Sequence, residues 1–592
     1  MNKKIIKIGN ASGFWGDDQD ALRRMVEGGR LDYITMDFLA EVTMSIMKKQ
    51  MDSDPNLGYA RDFIPMLEKV LAKALSDGTK IITNAGGVNP KACAMAIYDM
   101  AKKKGLNPKI AVVYGDDILD KIEDMKNSGI DFKNMETGES FETYKDRMTA
   151  ANVYFGAAPV VEALKLNPDI IITGRVTDTG ITLAPMVHEF SWSLKDWNKL
   201  AAGIVGGHII ECGSQSTGGN FTDWEKVESF KDIGFPILEV SEDGSFVVTK
   251  HEGSGGLVSL DTVREQLFYE MGDPKAYITP DVVADFSSIR LVELDKNRVK
   301  VFGVKGHQPT EFYKVSMAYQ DGFKSSGSII VSGPNARKKA ELFSKIFWEK
   351  CPASLSETAT DYVGLNSCHK GLSSLSDSNE IMIRLSAKAP EEKDLIAFAK
   401  TIPSLILSGP PGVAVLGGNQ KPQRIMSYWP CLIPKKSATP IISILSAGEF
   451  SEPKLVEDTA VGFFTGAEEK DVTFAGAASK SLKETLKECE ENGILLSGIA
   501  MARSGDKGDS VNIGVIARHH MAYEYLDEHL TAQLVKDLFQ DHCLGKVVRY
   551  KLPNMMGFNF ILEKALGGGG TSSLRIDPQG KTFAQAILMM KV

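Results

Sequence analysis

Short apolar runs that end in a turn of Gly, Asn, Asp or Thr and lead into a helical stretch recur at roughly 30–50-residue intervals along the first part of this chain. That rhythm predicts βαβ units, and so an α/β protein whose large N-terminal part is built on a mostly parallel sheet. Residues 4–8 (KIIKI), 31–36 (LDYITM), 80–84 (KIITN), 109–114 (KIAVVY) and 170–172 (III) supply the strands. Helices are expected over Ile64–Leu75, over Lys91–Lys104 with Pro90 at its first position, and from Asn152 to Leu164 within a helical stretch 141–166. Asp17, Asp18 and Asp20 open an earlier helix, where negative charge suits the dipole.

In open α/β sheets ligands bind at the carboxyl ends of the strands, where loops converge and helix N-termini offer N–H groups to anions. The βαβ reading sets Asn10, Asp37, Asn84, Asp116, Arg175 and Glu211 at strand exits on one such rim. Gly13, Gly86 and Gly87 lie in the same turns, placed to hold an anion on backbone N–H groups, and Asp178 follows Arg175. A second apolar run, Ile204–Ile210, reads as β-like, carries His208 and delivers Glu211, Cys212 and Gly213 into a turn. On a strand, His208 and Cys212 share a face about 13 Å apart, so direct pairing needs a bend. Cys212 is either a small buried residue or a nucleophile.

Beyond Trp224 the texture shifts to short strands, FPILEV and SFVVTKH, then a helix from Asp261 with Asp261 and Glu265 in a capping arrangement. Alternation in IRLVEL and RVKVFGV predicts a hairpin, and strand–helix pairs follow at GSIIVSG with NARKKAELFSKIFWEK and at MIRLSAK with a helix near Glu391. The organisation is therefore a core domain over 1–450 with a possible subdivision near 225, a charged connector with a surface helix over 451–490, and a small α+β module over 491–592. Length alone suggests about three or four domains. In the last module Arg503, Ser504, Gly505, Lys507 and Gly508 form one turn, and Gly567, Gly568, Gly569 and Gly570 with Arg575 form another. Such turns either cradle an anion or are tight hairpin loops.

A net charge of −8 and the lack of basic runs interleaved with aromatics argue against nucleic acid. No segment approaches 18 uncharged apolar residues, which argues against a membrane span. Seven scattered cysteines without a CxxC fit reduced thiols in a cytoplasmic protein, and Cys368-His369 lacks further metal ligands.

The strings GNASGFWGDD, LDYITMDFLAEVTM, TNAGGVNP, ITGRVTDTGITLAP, HIIECGSQSTGGNFTDW, KHEGSGGLVS, ARSGDKGDSVNIGVIAR and ALGGGGTSSLR together resemble the AtuA (acyclic terpene utilisation) family, end to end. The resemblance implies a large AtuA-type domain, a ferredoxin-like C-terminal domain and a role in degrading acyclic isoprenoid acids as CoA thioesters. Coenzyme A would then enter as part of a small-molecule substrate, held by Asn10, Gly13, Asn84, Gly86, Gly87 and Arg175 or by Arg503, Ser504, Lys507, Gly508, Gly568, Gly569 and Arg575. Three chemistries compete. Asp178 or Asp37 is a general base in a hydratase, lyase or isomerase; Cys212, aided by Glu211 or His208, attacks the thioester; or strand-exit carboxylates hold Mg²⁺, for which no spacing motif speaks. The first is preferred, because its carboxylates lie on the rim. The alternative of another class is a non-catalytic acyl-CoA-binding or assembly subunit. A homo-oligomer is expected of a large metabolic enzyme.

Overall fold

A computed structural model describes the chain apart from residues 1–3, 40, 352–353, 366, 370–376, 417–420 and 458–494. Its first strands are β1 (Ile5–Asn10), β2 (Tyr33–Met36), β3 (Lys80–Thr83) and β4 (Ile110–Tyr114). β5 (Met148–Val153) lies off the main sheet, and β6 (Ile170–Thr173) returns to it. β1, β2, β3, β6 and β4 pair in that order, all parallel. The isoleucines of β6 are at most 1% exposed, as expected of a strand covered on both faces.

Antiparallel strands extend this centre on both sides. β7 (Ile237–Ser241) pairs with β1, β8 (Phe246–Thr249) follows, and after the short β9 (Tyr277–Ile278) and β10 (Val283–Asp285) come β11 (Arg290–Asp295) and β12 (Arg298–Phe302). The twelve-stranded sheet reads β11-β12-β8-β7-β1-β2-β3-β6-β4, then Ile441–Ser446 and Glu449–Phe450, with Lys454–Leu455 also paired to Ile441–Ser446. The expected IRLVEL hairpin is present as β11 and β12. The sheet is mixed, with a parallel centre, and its strands run on past residue 225. The shift of texture there marks the change from buried parallel strands to antiparallel ones with a wetter face.

Two compact units divide the chain: Met1–Ala318 with Tyr428–Ala475 and Tyr550–Gly557, and Tyr319–Ser427 with Gly476–Arg549 and Phe558–Val592. In the second, residues 323–332 pair antiparallel with 380–389. The C-terminal module is a four-stranded sheet in the order Ala500–Lys507, Ser510–Ala517, Gly557–Leu562, Val547–Leu552. Most of the expected connector, with its surface helix and Cys489, lies outside the described residues.

The helices take sides by connection. α1 (Ala21–Glu27), α2 (Glu41–Ser53), α3 (Phe63–Glu68), α4 (Leu71–Asp77) and α5 (Pro90–Lys103) share one core with Ile34, Ile81, Ile110 and Ile172. α6 (Ile122–Asn127) follows β4. α7 (Ala158–Leu164), α8 (Asp178–Phe190) and α9 (Trp197–Ile210) pack on the opposite face, where the Tyr33 hydroxyl meets Glu189 at 2.5 Å. The chain advances β1, β2, β3, skips one place to β4, then returns to insert β6. A return crossover puts its helix on the other face. β3 and β6 are therefore neighbours whose following helices lie on opposite faces of the sheet, a topological switch point.

Several elements differ from expectation. Ile204–Ile210 is the end of α9, every residue of which from Leu200 to Ile210 is buried. A helix apolar all round is a core helix, and over so short a run its period is indistinguishable from that of a buried strand. Its glycines are contact points: a Cβ at Gly207 would sit 2.8 Å from Thr179 Cα of α8. The single helix expected over Ile64–Leu75 breaks at Lys69-Val70, which lets Phe63, Leu67 and Leu71 all reach the shared core. The helix expected from Asn152 begins only at Ala158, with Pro159 in its first turn, because Met148–Val153 is drawn into β5. No acid lies in the first turn of α1. Asp17 instead accepts from the N–H groups of Gly13 and Asp18 at 2.8 Å, shaping the preceding loop. α10 (Leu260–Leu267) is capped by a Ser259–Thr262 box, while Asp261 pairs with Arg264 at 3.2 Å.

Candidate active site

At the exit of β1, Asn10 is buried and closes a turn on Ser12, accepting its N–H and donating to its carbonyl, each at 3.1 Å. Ser12 carries the loop onto the exit of β2: its carbonyl accepts from Asp37 N–H and its hydroxyl donates to Asp37 O, both at 2.9 Å. Asn84, at the exit of β3, donates its amide to the Asp37 carboxylate and accepts Phe38 N–H at 2.8 Å. Leu39 N–H adds a donor to the same carboxylate oxygen at 3.0 Å. Three loops, distant along the chain, are thereby tied at one residue, the β1 loop through the Asp37 backbone and the β3 loop through its carboxyl.

Arg175, at the exit of β6, is 3% exposed. Its guanidinium donates to Leu39 O at 2.7 Å, lies 3.2 Å from Asp178 Oδ1 and stacks 4.1 Å above the Tyr154 ring. Its N–H donates at 3.0 Å to Asp116 Oδ2, which also takes Asn152 Nδ2 at 2.9 Å. Gly174 is required here, since a Cβ would run into the Asp116 carboxylate. Burial pushes the Asp37 and Asp116 carboxyls up to about 6 each, against the opposing pull of Arg175 and Asn84 on Asp37, and of Arg175 N–H and Asn152 on Asp116. Both carboxyls can therefore exchange protons near neutral pH.

Glu211 reaches the rim from the end of α9 rather than from a strand. The helix sets it one turn beyond His208, whose Nδ1 lies 3.0 Å from Glu211 Oε1, so no bend is needed for these two to meet. Cys212 is half-buried at the start of a short helical turn, Gly213–Thr217. The β1 loop packs on it so closely that a Cβ at Gly13 would lie 2.7 Å from the Cys212 carbonyl carbon. Tyr277 Oη is 3.4 Å from His208 Nδ1. Burial first, then the charges of Glu211 and Asp178, hold the Tyr277 phenol well above its ordinary range.

Asn10, Gly13, Asp37, Asn84, Arg175, Asp178, His208, Glu211 and Cys212 are thus all brought to one end of the sheet. Gly86 and Gly87 are not arranged as an open cradle. A Cβ at Gly86 would be 2.5 Å from Thr173 O, and Gly87 N–H donates to Asn84 O at 3.1 Å. In the C-terminal module Arg503, Ser504, Gly505 and Lys507 belong to a strand and not to a turn; Arg503 and Ser504 are buried, and the turn begins at Gly508. Pairing of all eight residues with Ser510–Ala517, and burial of the first six, outweigh a composition that by itself suits a turn. Ser504 Oγ donates to Gly580 O at 2.6 Å and accepts Ala584 N–H at 2.9 Å. The second glycine turn does meet the first: Gly568 N–H donates to Asp509 Oδ1 at 2.7 Å, and a Cβ at Gly569 would lie 2.6 Å from Gly508 O. Arg575 spans that loop, donating to Ala565 O and, at 2.9 Å, to His542 O. An internal carboxylate and carbonyls thus occupy donors that an anion would need.

Tyr154, Asn152 and Tyr277 went unread in the sequence because each comes from an element remote from the strand exits. Asp116 stood in a GDD turn but gave no sign of its burial. No group of three or more His, Cys, Asp or Glu among the described residues is placed to hold a metal ion.

The structure defines a mixed α/β protein with a buried acid–base cluster at the carboxyl rim of its parallel strands. Residues 6–444 match the family model for the acyclic terpene utilisation family protein AtuA, and residues 494–592 match the AtuA ferredoxin-like domain; the chain belongs to that family. No curated protein matches. A crystal structure of an aldoxime dehydratase aligns at 13% identity over 46% of this chain and 79% of that one, with a TM-score of 0.12, which carries no argument. Among the described residues no helix is long and apolar enough to cross a membrane.

Proposed function

We propose that this protein is a catabolic enzyme acting on a branched or isoprenoid carboxylic acid, presented as its CoA thioester, by carboxylate general acid–base chemistry of the hydratase, lyase or isomerase type. The observation that carries the reading is the buried Asp37 carboxyl held by the Asn84 amide and Leu39 N–H, which burial pushes up to about 6 against the pull of the Arg175 charge. A base of that strength takes a proton from carbon next to a thioester carbonyl and returns it at neutral pH. Arg175 and Asp178 follow β6 at this switch point, where an anionic or polarised acyl group would lie. Membership of the family for acyclic terpene utilisation supports the isoprenoid class of substrate.

The test is deuterium wash-in at the acyl carbons of an acyclic isoprenoid acyl-CoA in D₂O, followed by mass spectrometry. Wild-type protein should catalyse exchange, Asp37→Asn should lose about 10²–10⁴-fold, and Cys212→Ala should stay within a few-fold of wild type. Exchange abolished by Cys212→Ala but not by Asp37→Asn would move the assignment to thioester hydrolysis or acyl transfer. Binding of the thioester with no turnover would leave a non-catalytic acyl-CoA-binding subunit.

A further inference from the structure

We propose that Arg175 is a positioning residue: rather than holding substrate, it fixes the loop that carries Asp37 against the exits of β4, β5 and β6, so that the base keeps one orientation. The inference deepens the acid–base reading above and rests on it.

An arginine in the turn between β6 and α8 is placed to receive an anion at the strand exits. Its partners are instead protein groups from several separate segments. The backbone is held on both sides: the N–H donates to the Asp116 carboxylate after β4 at 3.0 Å, and the carbonyl accepts Phe155 N–H after β5 at 3.2 Å. From that fixed base the side chain runs over Tyr154, with the guanidinium carbon 4.1 Å from the ring centroid. The guanidinium donates to Leu39 O after β2 at 2.7 Å and pairs with Asp178 at 3.2 Å. With 3% of the residue exposed, it is a buried span between strand exits.

Leu39 is the link to the base. Its carbonyl takes the guanidinium, and its own N–H donates to Asp37 Oδ1 at 3.0 Å. A displacement of Leu39 therefore carries a donor of the Asp37 carboxylate with it. Asn84 holds the same oxygen from the exit of β3. The base is thus fixed by β3 directly and by β6 through Arg175 and Leu39. Orientation matters here because proton transfer from carbon needs base and C–H bond aligned, and a misplacement of about 1 Å costs about 10²-fold.

Charge and shape make separable contributions. A planar guanidinium stacks on an aromatic ring and donates in its own plane, whereas a lysine ammonium keeps the charge as a point without that fit. The charged groups that bear on Asp37 are Arg175 after β6 and Glu211 at the end of α9, which oppose each other; Asp116 and Asp178 flank Arg175.

Plateau kcat, KM and pH midpoint in the wash-in assay, with calorimetry of an unreactive thioether analogue of the acyl-CoA, separate positioning from binding. Arg175→Lys should lose about 10–100-fold in plateau kcat, keep its midpoint near pH 6 and bind the thioether as wild type does. Arg175→Gln should lose at least as much, and its midpoint should rise by at least about half a unit, because the cation that favours the Asp37 carboxylate is gone. Tyr154→Phe, which keeps the ring against the guanidinium, should retain about 5-fold more kcat than Tyr154→Leu, and this pair decides if the Arg175 variants do not fold. Weakened thioether binding, or a raised KM with kcat retained, in Arg175→Lys would make Arg175 a substrate holder and overturn the proposal. Equal kcat for the two Tyr154 variants would also overturn it. If Asp37→Asn abolishes exchange while both Arg175 variants match wild type, this inference falls alone; if Asp37→Asn exchanges freely, the acid–base reading falls with it.

Discussion

Asp37 and Asp116 are the residues whose physical state is most specific to this fold. For Asp37 as base, the active form is the carboxylate, so exchange should rise with pH, reach half its maximum near pH 6 and level off above. Glu211→Gln removes a like charge that favours the protonated form, and the rising limb should move to lower pH in a rate–pH profile. Asp116 has a stability consequence of defined sign. Its folded-state carboxyl, at about 6, holds its proton more tightly than an unfolded one near 3.8, so the group favours folding least once pH exceeds 6 and regains favour as pH falls toward 4. Urea unfolding of Asp116→Asn and wild type at pH 4 and pH 7.5 should show the variant gaining about 2 kcal/mol relative to wild type over that interval, flat above pH 7. The charges, spacing and turn contexts of Asp37 and Asn84 were legible in the sequence. Their mutual hydrogen bond was not, since 46 residues and three helices intervene.

α9 shows why element type escaped a local reading. AAGIVGGHII carries apolar residues on all sides, so neither a period of two nor of 3.6 stands out, and its glycines suggest turns. In the folded chain they let α9 lie against α8 and the sheet, with Gly206 3.0 Å by its absent Cβ from Leu238 Cδ1. Gly207→Ala should therefore cost about 1–3 kcal/mol by overpacking although alanine favours helix, while Gly78→Ala, with open space around it, should show only backbone strain. Denaturant midpoints of the two variants check this. The helical period also decides chemistry: residues 208 and 211, which a strand would point to opposite faces, become neighbours.

Across the whole molecule, protection against exchange should follow the sheet order. Amides of Ile81–Thr83, Ile110–Val113 and Ile170–Thr173, covered by helices on both faces, should be the last to exchange in mass-spectrometric hydrogen exchange. β11, at the sheet edge with Val292 and Leu294 exposed, should exchange early. By itself the sequence determined the parallel centre, its strand exits and the family, because apolar runs closed by Gly, Asn and Asp are local signals and long motif strings survive without coordinates. Only the tertiary structure decided that β6 inserts between β3 and β4, that an apolar run is a helix, and that Tyr154 and Tyr277 join the rim. Those outcomes depend on which surfaces bury one another across hundreds of residues, and no local pattern encodes that choice.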